Sequence, residues 1–440
     1  LKTVAFHTLG CKVNQYETQS MMELFKERGY ALKESTEEAD VYVINTCTVT
    51  NVGDRKSRQF IRRMKGSNPN AIVAVVGCYA QVQPEEVKAL KGVDLVIGTN
   101  GRREIVDYVE NYQSHEKISF VGNIMNVEEF EELGLTEYEG KTRAFIKIQE
   151  GCNQYCTYCI IPYARGNIRS RNKEMIMEEV TRLAKKGYRE VVITGIHVAS
   201  YGKDFTDGSQ ELGLSGHPLL DLLMDINGIR GIERIRLSSL EPNLMTGEFV
   251  KKLKNIDKLC PHFHLSLQSG SDEILQRMNR KYSKEQYGRA IELLREAFDH
   301  PGITTDVIVG FPGESDEHFR ETKEFIRILG FSELHVFKYS PKKGTPAAKY
   351  RNQVDGKTKQ LRSEELITLG EALKKEYLKY FAGKVKEVLF ESYNEQQQEN
   401  TGFSREYGKV RVCTPVDLTN KKVRVKITEA KEGFLLGNVE

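Results

Sequence analysis

The first hundred residues repeat one pattern three times. Short apolar, β-branched runs, TVAFHTLGC, VYVINTC and AIVAVVGC, are each followed by an amphipathic stretch: NQYETQSMMELFKERG, DRKSRQFIRRMKG and QPEEVKALKG. Runs of that length and composition read as buried strands, and the charged stretches with apolar residues three and four apart read as helices. Strand followed by helix, three times over, predicts a parallel sheet with helices on its faces. From about residue 141 to 350 the alternation resumes with AFIKI, EVVITGI, RIRLSS, HFHLSL, TTDVIVGF and ELHVFKYS, separated by helical segments such as EMIMEEVTRLAKKG and KEQYGRAIELLREAF. Six parallel strands with right-handed crossovers predict a partial, TIM-like (β/α)6 barrel open on one side. A charged helical connector covers about 355–380. Beyond it KVKEVLFESY, YGKVRVCTP and KKVRVKITEA, punctuated by Gly, Asn and Pro, predict a small antiparallel β-barrel of OB-like type. The fold class is α/β, with domains expected at 1–112, 138–368 and 371–440.

Composition adds a few constraints. A chain of 440 residues, 39% of them hydrophobic, suits about three globular domains. Leu1-Lys2-Thr3-Val4 runs straight into the first strand without a leader pattern, and no apolar run approaches the roughly 20 residues that span a bilayer. A soluble, cytoplasmic protein with no membrane partner is expected. The net charge of +3 decides little, but its distribution matters. Arg55, Lys56, Arg58, Arg62, Arg63 and Lys65 crowd one helix, and Arg55, Arg58, Arg62 and Lys65 recur at helical spacing. Lys422, Arg424 and Lys426 alternate with Val423, Val425 and Ile427 along one strand. Either set can track a phosphate backbone; a solvated helix face and a Lys-blunted edge strand are the alternatives.

Eight cysteines in this length are too sparse for a disulfide scaffold. Cys152, Cys156 and Cys159 form a Cys-x-x-x-Cys-x-x-Cys triplet directly after the AFIKI strand. Three thiolates so close can hold three irons of a [4Fe-4S] cluster and leave the fourth open for a small molecule, a catalytic arrangement. Zinc or free thiols remain as alternatives, although no fourth cysteine lies nearby. Cys11, Cys47 and Cys78 each end one of the three N-terminal strands. In a parallel sheet those ends line a common crevice, which predicts a second three-thiol cluster site rather than three ordinary buried cysteines. Cys260 and Cys413 read as packing residues. His262 and His264 share a strand face with Cys260, and interior hydrogen bonding is expected there rather than metal.

The triplet GCNQYCTYC resembles that of the radical S-adenosylmethionine (SAM) superfamily, and the two three-cysteine sets together resemble its methylthiotransferase family across essentially the whole chain. That resemblance implies that Cys152, Cys156 and Cys159 hold the cluster that binds SAM and generates a 5′-deoxyadenosyl radical. It implies that Cys11, Cys47 and Cys78 hold an auxiliary cluster that handles the inserted sulfur, so that all six cysteines are catalytic and metal-binding. The segments VITGIHVASYG, RIRLSSLEP, FHLSLQSGSD and DVIVGFPGE resemble the family's SAM-binding strand ends. Gly195, Ser238, Glu241, Gln268 and Asp306 are the expected cofactor contacts, in keeping with small and polar residues at the carboxyl ends of barrel strands. The C-terminal barrel resembles the TRAM domain, an RNA-binding module.

TLGCKVNQYETQ and NTCTVTNVGDRKSRQ look most like the branch acting on N6-threonylcarbamoyladenosine beside the tRNA anticodon, with Lys12-Val13-Asn14 as the discriminating segment. The implied partners are tRNA, gripped through Arg55, Arg58, Arg62, Lys422, Arg424 and Lys426, an electron donor such as flavodoxin or ferredoxin, and a sulfur donor. Methylthiolation of a ribosomal-protein aspartate or of isopentenyladenosine, or a non-catalytic iron–sulfur redox sensor that binds RNA, are the alternative readings.

Overall fold

A computed structural model describes residues 2–49, 51–113, 116–135, 137, 142–205 and 216–440. Leu1 and residue 138, where the second domain was expected to begin, lie outside the described residues. The N-terminal part is a parallel six-stranded sheet of β1 (Thr3–Thr8), β2 (Ala31–Lys33), β3 (Val41–Thr46), β4 (Ile72–Gly77), β5 (Leu95–Ile97) and β6 (Ile118–Phe120), in the order β2-β1-β3-β4-β5-β6. The expected three strands are its centre. The three additional strands are each three residues long, too short to stand out from neighbouring loops by pattern. Helices Lys12–Glu27 and Asn51–Ser67 follow β1 and β3 as expected. Val73 and Val75 face one apolar layer, whereas Ala74 and Val76 face the other, the signature of a sheet covered on both sides.

The central part contains all six expected strands: β7 (Arg143–Glu150), then, after the two-residue β8 (Arg169–Ser170), β9 (Glu190–Gly195), β10 (Arg234–Leu237), β11 (His262–His264), β12 (Gly302–Val309) and β13 (Glu333–Lys338). β7, β9 and β10 pair in parallel, as do β11, β12 and β13, and parallel bridges at Ile235–Leu259 and Leu240–Leu265 stitch the two groups into one curved wall. Alternate residues divide it. Ile146, Ile193, Ile235, Phe263, Ile303 and Val307 pack into the core that includes the outer helices. Lys147, Thr194, Ser238, His264, Asp306 and His335 therefore face the concave side. The wall does not close: β8 pairs antiparallel on the far side of β7, and β13 ends the other edge. Helix entry is encoded locally, as at Ser283, which forms a reciprocal capping box with Gln286 ahead of Lys284–Ala297.

The helix Gly356–Lys379 leads to a closed five-stranded barrel of β14 (Val385–Asn394), β15 (Glu399–Ser404), β16 (Lys409–Cys413), β17 (Lys422–Lys431) and β18 (Phe434–Val439). The expectation of a wholly antiparallel barrel is corrected at one pairing, since β18 closes the barrel parallel to β16. This barrel seats on the starts of the central strands. Arg143 pairs with Glu391 at 2.5 Å, Arg234 with Glu387 at 3.1 Å, and Tyr407 stacks on His262 with centroids 4.7 Å apart. No helix among the described residues is long and apolar enough to cross a membrane.

Candidate active site

The Cys152 loop is shaped by its first residue. Gly151 has φ +73°, and a Cβ there would lie 1.7 Å from the carbonyl oxygen of Asn167, so the chain turns off β7 only with glycine. Cys152, Cys156 and Cys159 then lie within electrostatic reach of one another. Burial, followed by backbone bonding and the neighbouring thiol, sets Cys152 at about 11; burial and Cys156 push Cys159 to about 12. Arg280 donates from Nη1 to Cys156 Sγ at 3.3 Å, and its Nη2 is gripped by Glu241 at 2.7 and 2.9 Å. Glu241 thus reaches the triplet through Arg280, with His197 Nε2 3.5 Å from the same Oε1 that Arg280 bonds.

The second set is assembled by topology. Cys11 caps the helix after β1, Cys47 follows β3 and Cys78 opens the short helix after β4, and these strands are neighbours in the order β1-β3-β4. The loops come together closely: a Cβ on Gly10, at φ +124°, would lie 3.0 Å from Cys47 Cβ. Burial and the adjacent Cys78 push the Cys47 thiol up to about 12, and Cys11 acts on both. Lys12, Val13 and Asn14 stand beside this set. Asn14 accepts from Cys11 Sγ at 3.4 Å and donates to Asn45 Oδ1 at 3.0 Å. The Lys12 ammonium is lowered to about 8 by burial and by Arg143 and Arg236.

A buried ion network joins the N-terminal helix to the central wall beside Cys78. Glu17 of the N-terminal helix, Glu150 at the end of β7, and Arg102, Arg165 and Lys147 are all essentially inaccessible. Arg165 Nη1 lies 2.5 Å from both Glu17 Oε1 and Glu150 Oε1, Lys147 is 2.9 Å from Glu17 and also bonds Glu150, and Arg102 contacts Glu17 at 2.5 Å and Glu131 at 2.6 Å. Three carboxylates face three cations, which is what allows charge to be buried at all. Burial pushes Glu150 upward, yet Lys147 and Arg165 override it and bring it to about 2. Further clasps, Tyr16–Glu179 at 3.1 Å and Lys342–Asp54 at 2.5 Å, hold the N-terminal part against the central one.

The expected cofactor contacts fall on the rim and inner face of that wall. Ser238 Oγ is buried without a hydrogen-bond partner. Gln268 sits at φ +66° and is bridged to Val307, while Gly195 lies against Gln149, where a Cβ would meet the carbonyl oxygen at 3.0 Å. Asp306 is 3.2 Å from His264 Nε2, and with His335 these side chains bring donor atoms within 4.8 Å of one another. His264 Nδ1 meets Thr304 Oγ1 at 2.9 Å. The expected RNA contacts are dispersed. Arg55, Arg62 and Lys426 are exposed with no partner among the described residues. Arg58 bonds Tyr79 at 2.9 Å and Glu86 at 3.2 Å, Arg424 pairs with Glu440 at 2.7 Å, and Lys422 is taken up by Glu233 at 2.7 Å at the seat of the C-terminal barrel.

The residues fit iron–sulfur clusters and a polar ligand. All six thiols are free and grouped in threes, N–H groups aim at sulfur, as Ile161 N does at 3.4 Å from Cys159, and the orphaned Ser238 hydroxyl leaves a polar atom for a ligand. Residues 146–326 match the radical SAM superfamily and residues 3–98 match the uncharacterized protein family UPF0004. The threonylcarbamoyladenosine tRNA methylthiotransferase MtaB of Bacillus subtilis is 45% identical, covering 98% of this chain and 94% of that protein. The chain belongs to the radical SAM methylthiotransferase family. A tRNA-2-methylthio-N(6)-dimethylallyladenosine synthase of Caldicellulosiruptor saccharolyticus is 35% identical over 100% of this chain and 92% of its own. The fold extends to the radical SAM methyltransferase TsrM of Kitasatospora setae, with a TM-score of 0.57 at 14% identity, covering 79% of this chain and 77% of that one. Membership makes this chain an enzyme whose cofactors are SAM and [4Fe-4S] clusters.

Arg165, Arg280, Glu17 and Glu150 were missed by the sequence reading. Arg165 stands in IIPYARG, shortly after Cys159, and an arginine so near a thiolate triplet was the available signal. The charged residues within β7, Lys147 and Glu150, were a second one, since strand interiors exclude charge unless it is paired.

Proposed function

We propose that the protein inserts a methylthio group at C2 of N6-threonylcarbamoyladenosine at position 37 of tRNA, in the cytoplasm. Cys152, Cys156 and Cys159 would hold the SAM-binding cluster, Cys11, Cys47 and Cys78 the auxiliary one, and domain limits near 112, 138, 368 and 371 separate the parts. Bound there, the two clusters and SAM supply a carbon radical and a sulfur and methyl source. The observation that carries the reading is Arg165, which stands six residues after Cys159 yet donates to Cys78 Sγ at 3.2 Å and pairs with Glu17 and Glu150 across the domain boundary.

The chain's own residues prepare the site. The thiols must release protons as iron binds, because Cys47, Cys152 and Cys159 are protonated at neutral pH without metal. Arg280, held by Glu241, orients Cys156. Ser238, Gln268, Asp306 and the small Gly195 offer polar groups and close backbone approach for SAM. The N-terminal sheet covers the wall and excludes water, leaving the unstacked bases of an anticodon loop as a substrate that can enter from one side. Of the six expected RNA contacts, Arg55, Arg62 and Lys426 are exposed without a partner among the described residues and would meet phosphate. An electron donor such as flavodoxin or ferredoxin and a sulfur donor complete the reaction. Incubating reconstituted enzyme with SAM, reductant and tRNA bearing either threonylcarbamoyl- or isopentenyladenosine, then weighing the nucleosides, tests this. A mass gain of one methylthio group on the first tRNA is expected; gain only on the second overturns the substrate assignment.

A further inference from the structure

Among the described residues two guanidinium groups donate hydrogen bonds to cysteine sulfur, and they are held differently. Arg280 lies within the central domain, as do Cys156 and Glu241. Arg165 crosses the boundary. It ends the short helix Ile161–Arg165 that follows Cys159, yet its Nε donates to Cys78 Sγ at 3.2 Å. Nη1 is shared by Glu17 and Glu150 at 2.5 Å, and Nη2 reaches Asn14 Oδ1 at 3.2 Å and Glu17 Oε2 at 3.1 Å. Asn14 Oδ1 is also the acceptor for Cys11 Sγ. One fully buried fork therefore contacts Cys78 directly and Cys11 through one amide, from an element that belongs to the other cysteine set.

We propose that Arg165 is a positioning residue for the auxiliary centre, fixing the Cys78 ligand and raising the reduction potential of the cluster bound there. The physical basis is specific. A hydrogen bond and a nearby positive charge stabilise the more electron-rich, reduced cluster, so they shift its potential upward. Arginine is suited to this because its planar fork directs one N–H at sulfur while the others are spent on carboxylates. A lysine has a single rotatable head and cannot serve sulfur, Asn14 and both glutamates together. Because the donor and Glu150 come from the central domain, the auxiliary cluster acquires this potential only when docked on the half that generates the radical. The inference rests on the assignment of Cys11, Cys47 and Cys78 to a cluster.

The test uses full-length protein carrying Cys152→Ala, Cys156→Ala and Cys159→Ala, so that the auxiliary cluster is the only one left. Iron, sulfide and the midpoint potential by EPR-monitored titration are measured with Arg165 intact, with Arg165→Lys, and with Arg165→Gln plus Glu17→Gln, which keeps the buried network neutral. Both variants are expected to hold about four irons per chain and to titrate at a more negative potential than the parent. A variant that melts cooperatively like the parent yet holds no iron supports the positioning role equally. An unchanged midpoint in loaded variants overturns it. So does loss of cooperative melting in both variants, which would make Arg165 a fold residue alone. A parent without iron instead refutes the cluster assignment itself, a failure read before any arginine variant is compared.

Discussion

The two cysteine sets have the same composition and opposite construction. Cys152, Cys156 and Cys159 come from one loop, released from β7 by Gly151, and their arginine, Arg280, is supplied by the same domain. Cys11, Cys47 and Cys78 come from three strand ends of a six-stranded sheet, and their arginine is lent by the neighbouring domain. A loop motif can be built and lost locally. A set assembled from strand ends depends on the sheet register and on the interface that completes it.

The largest effect expected from this contrast is on stability at the interface. Arg165→Ala leaves Glu17 and Glu150 facing fewer cations in a site closed to water, and breaking such a buried pair costs about 3–5 kcal/mol. Thermal or urea unfolding of the iron-free protein should show it. Arg280→Ala should cost less, since the Glu241 side chain retains 17% exposure and His197 beside it. Its consequence should fall on reductive SAM cleavage, measured as 5′-deoxyadenosine. Equal losses of stability for the two variants would erase the distinction between local and borrowed arginines.

Acid should separate the two interfaces next. Burial, with Arg236 and Lys12, holds His262 well below its ordinary 6.5. Its neutral form is the folded one, so stability is fully present above 6.5 and falls as pH drops and the unfolded chain takes up the proton. Glu150 behaves as a depressed acid: stability present above its ordinary 4.5 is lost as pH falls toward about 2. Melting followed downward from about pH 7.5 should decline in two stages. His7, His217 and His300 are lowered by burial as well, so His262→Gln should shrink the first stage without abolishing it, and leave the second.

The smallest effect concerns cations. Arg62→Ala and Lys426→Ala should each weaken tRNA binding and reduce the salt slope by about one. Lys422→Ala should instead lower the melting temperature, because its ammonium bridges Glu233 and Glu387. Binding titrations at several salt concentrations, paired with melts, distinguish these outcomes.

The same contrast explains what could be read from the chain. The loop triplet is a spacing, and spacing is visible. The strand-end set was readable only because three apolar runs each stopped at a cysteine, and parallel pairing places such stops together. The six central strands were equally plain, since their apolar residues alternate with inward polar ones. Arg165, Arg102, Glu17 and Glu150 were not legible as a unit. Charged residues in sequence look solvated, and only the docking of the sheet on the wall buries them. Lys422 shows the converse: its strand alternation was correct, with Val425 and Ile427 inside, but the pattern could not reveal that Glu233 waits across the junction. β15 and β18 were hidden by Gly402 and Gly437, which are required where a Cβ would lie 2.4 Å from Leu389 O and 2.5 Å from Val425 Cγ1.

The division of labour between the two cysteine sets is tested most directly by Cys47→Ala in the full-length, anaerobically reconstituted enzyme given SAM, reductant and threonylcarbamoylated tRNA. The account predicts iron falling from about eight to about four per chain, continued release of 5′-deoxyadenosine, and no methylthiolated nucleoside. Methylthiolated product formed by that variant at undiminished yield would contradict it.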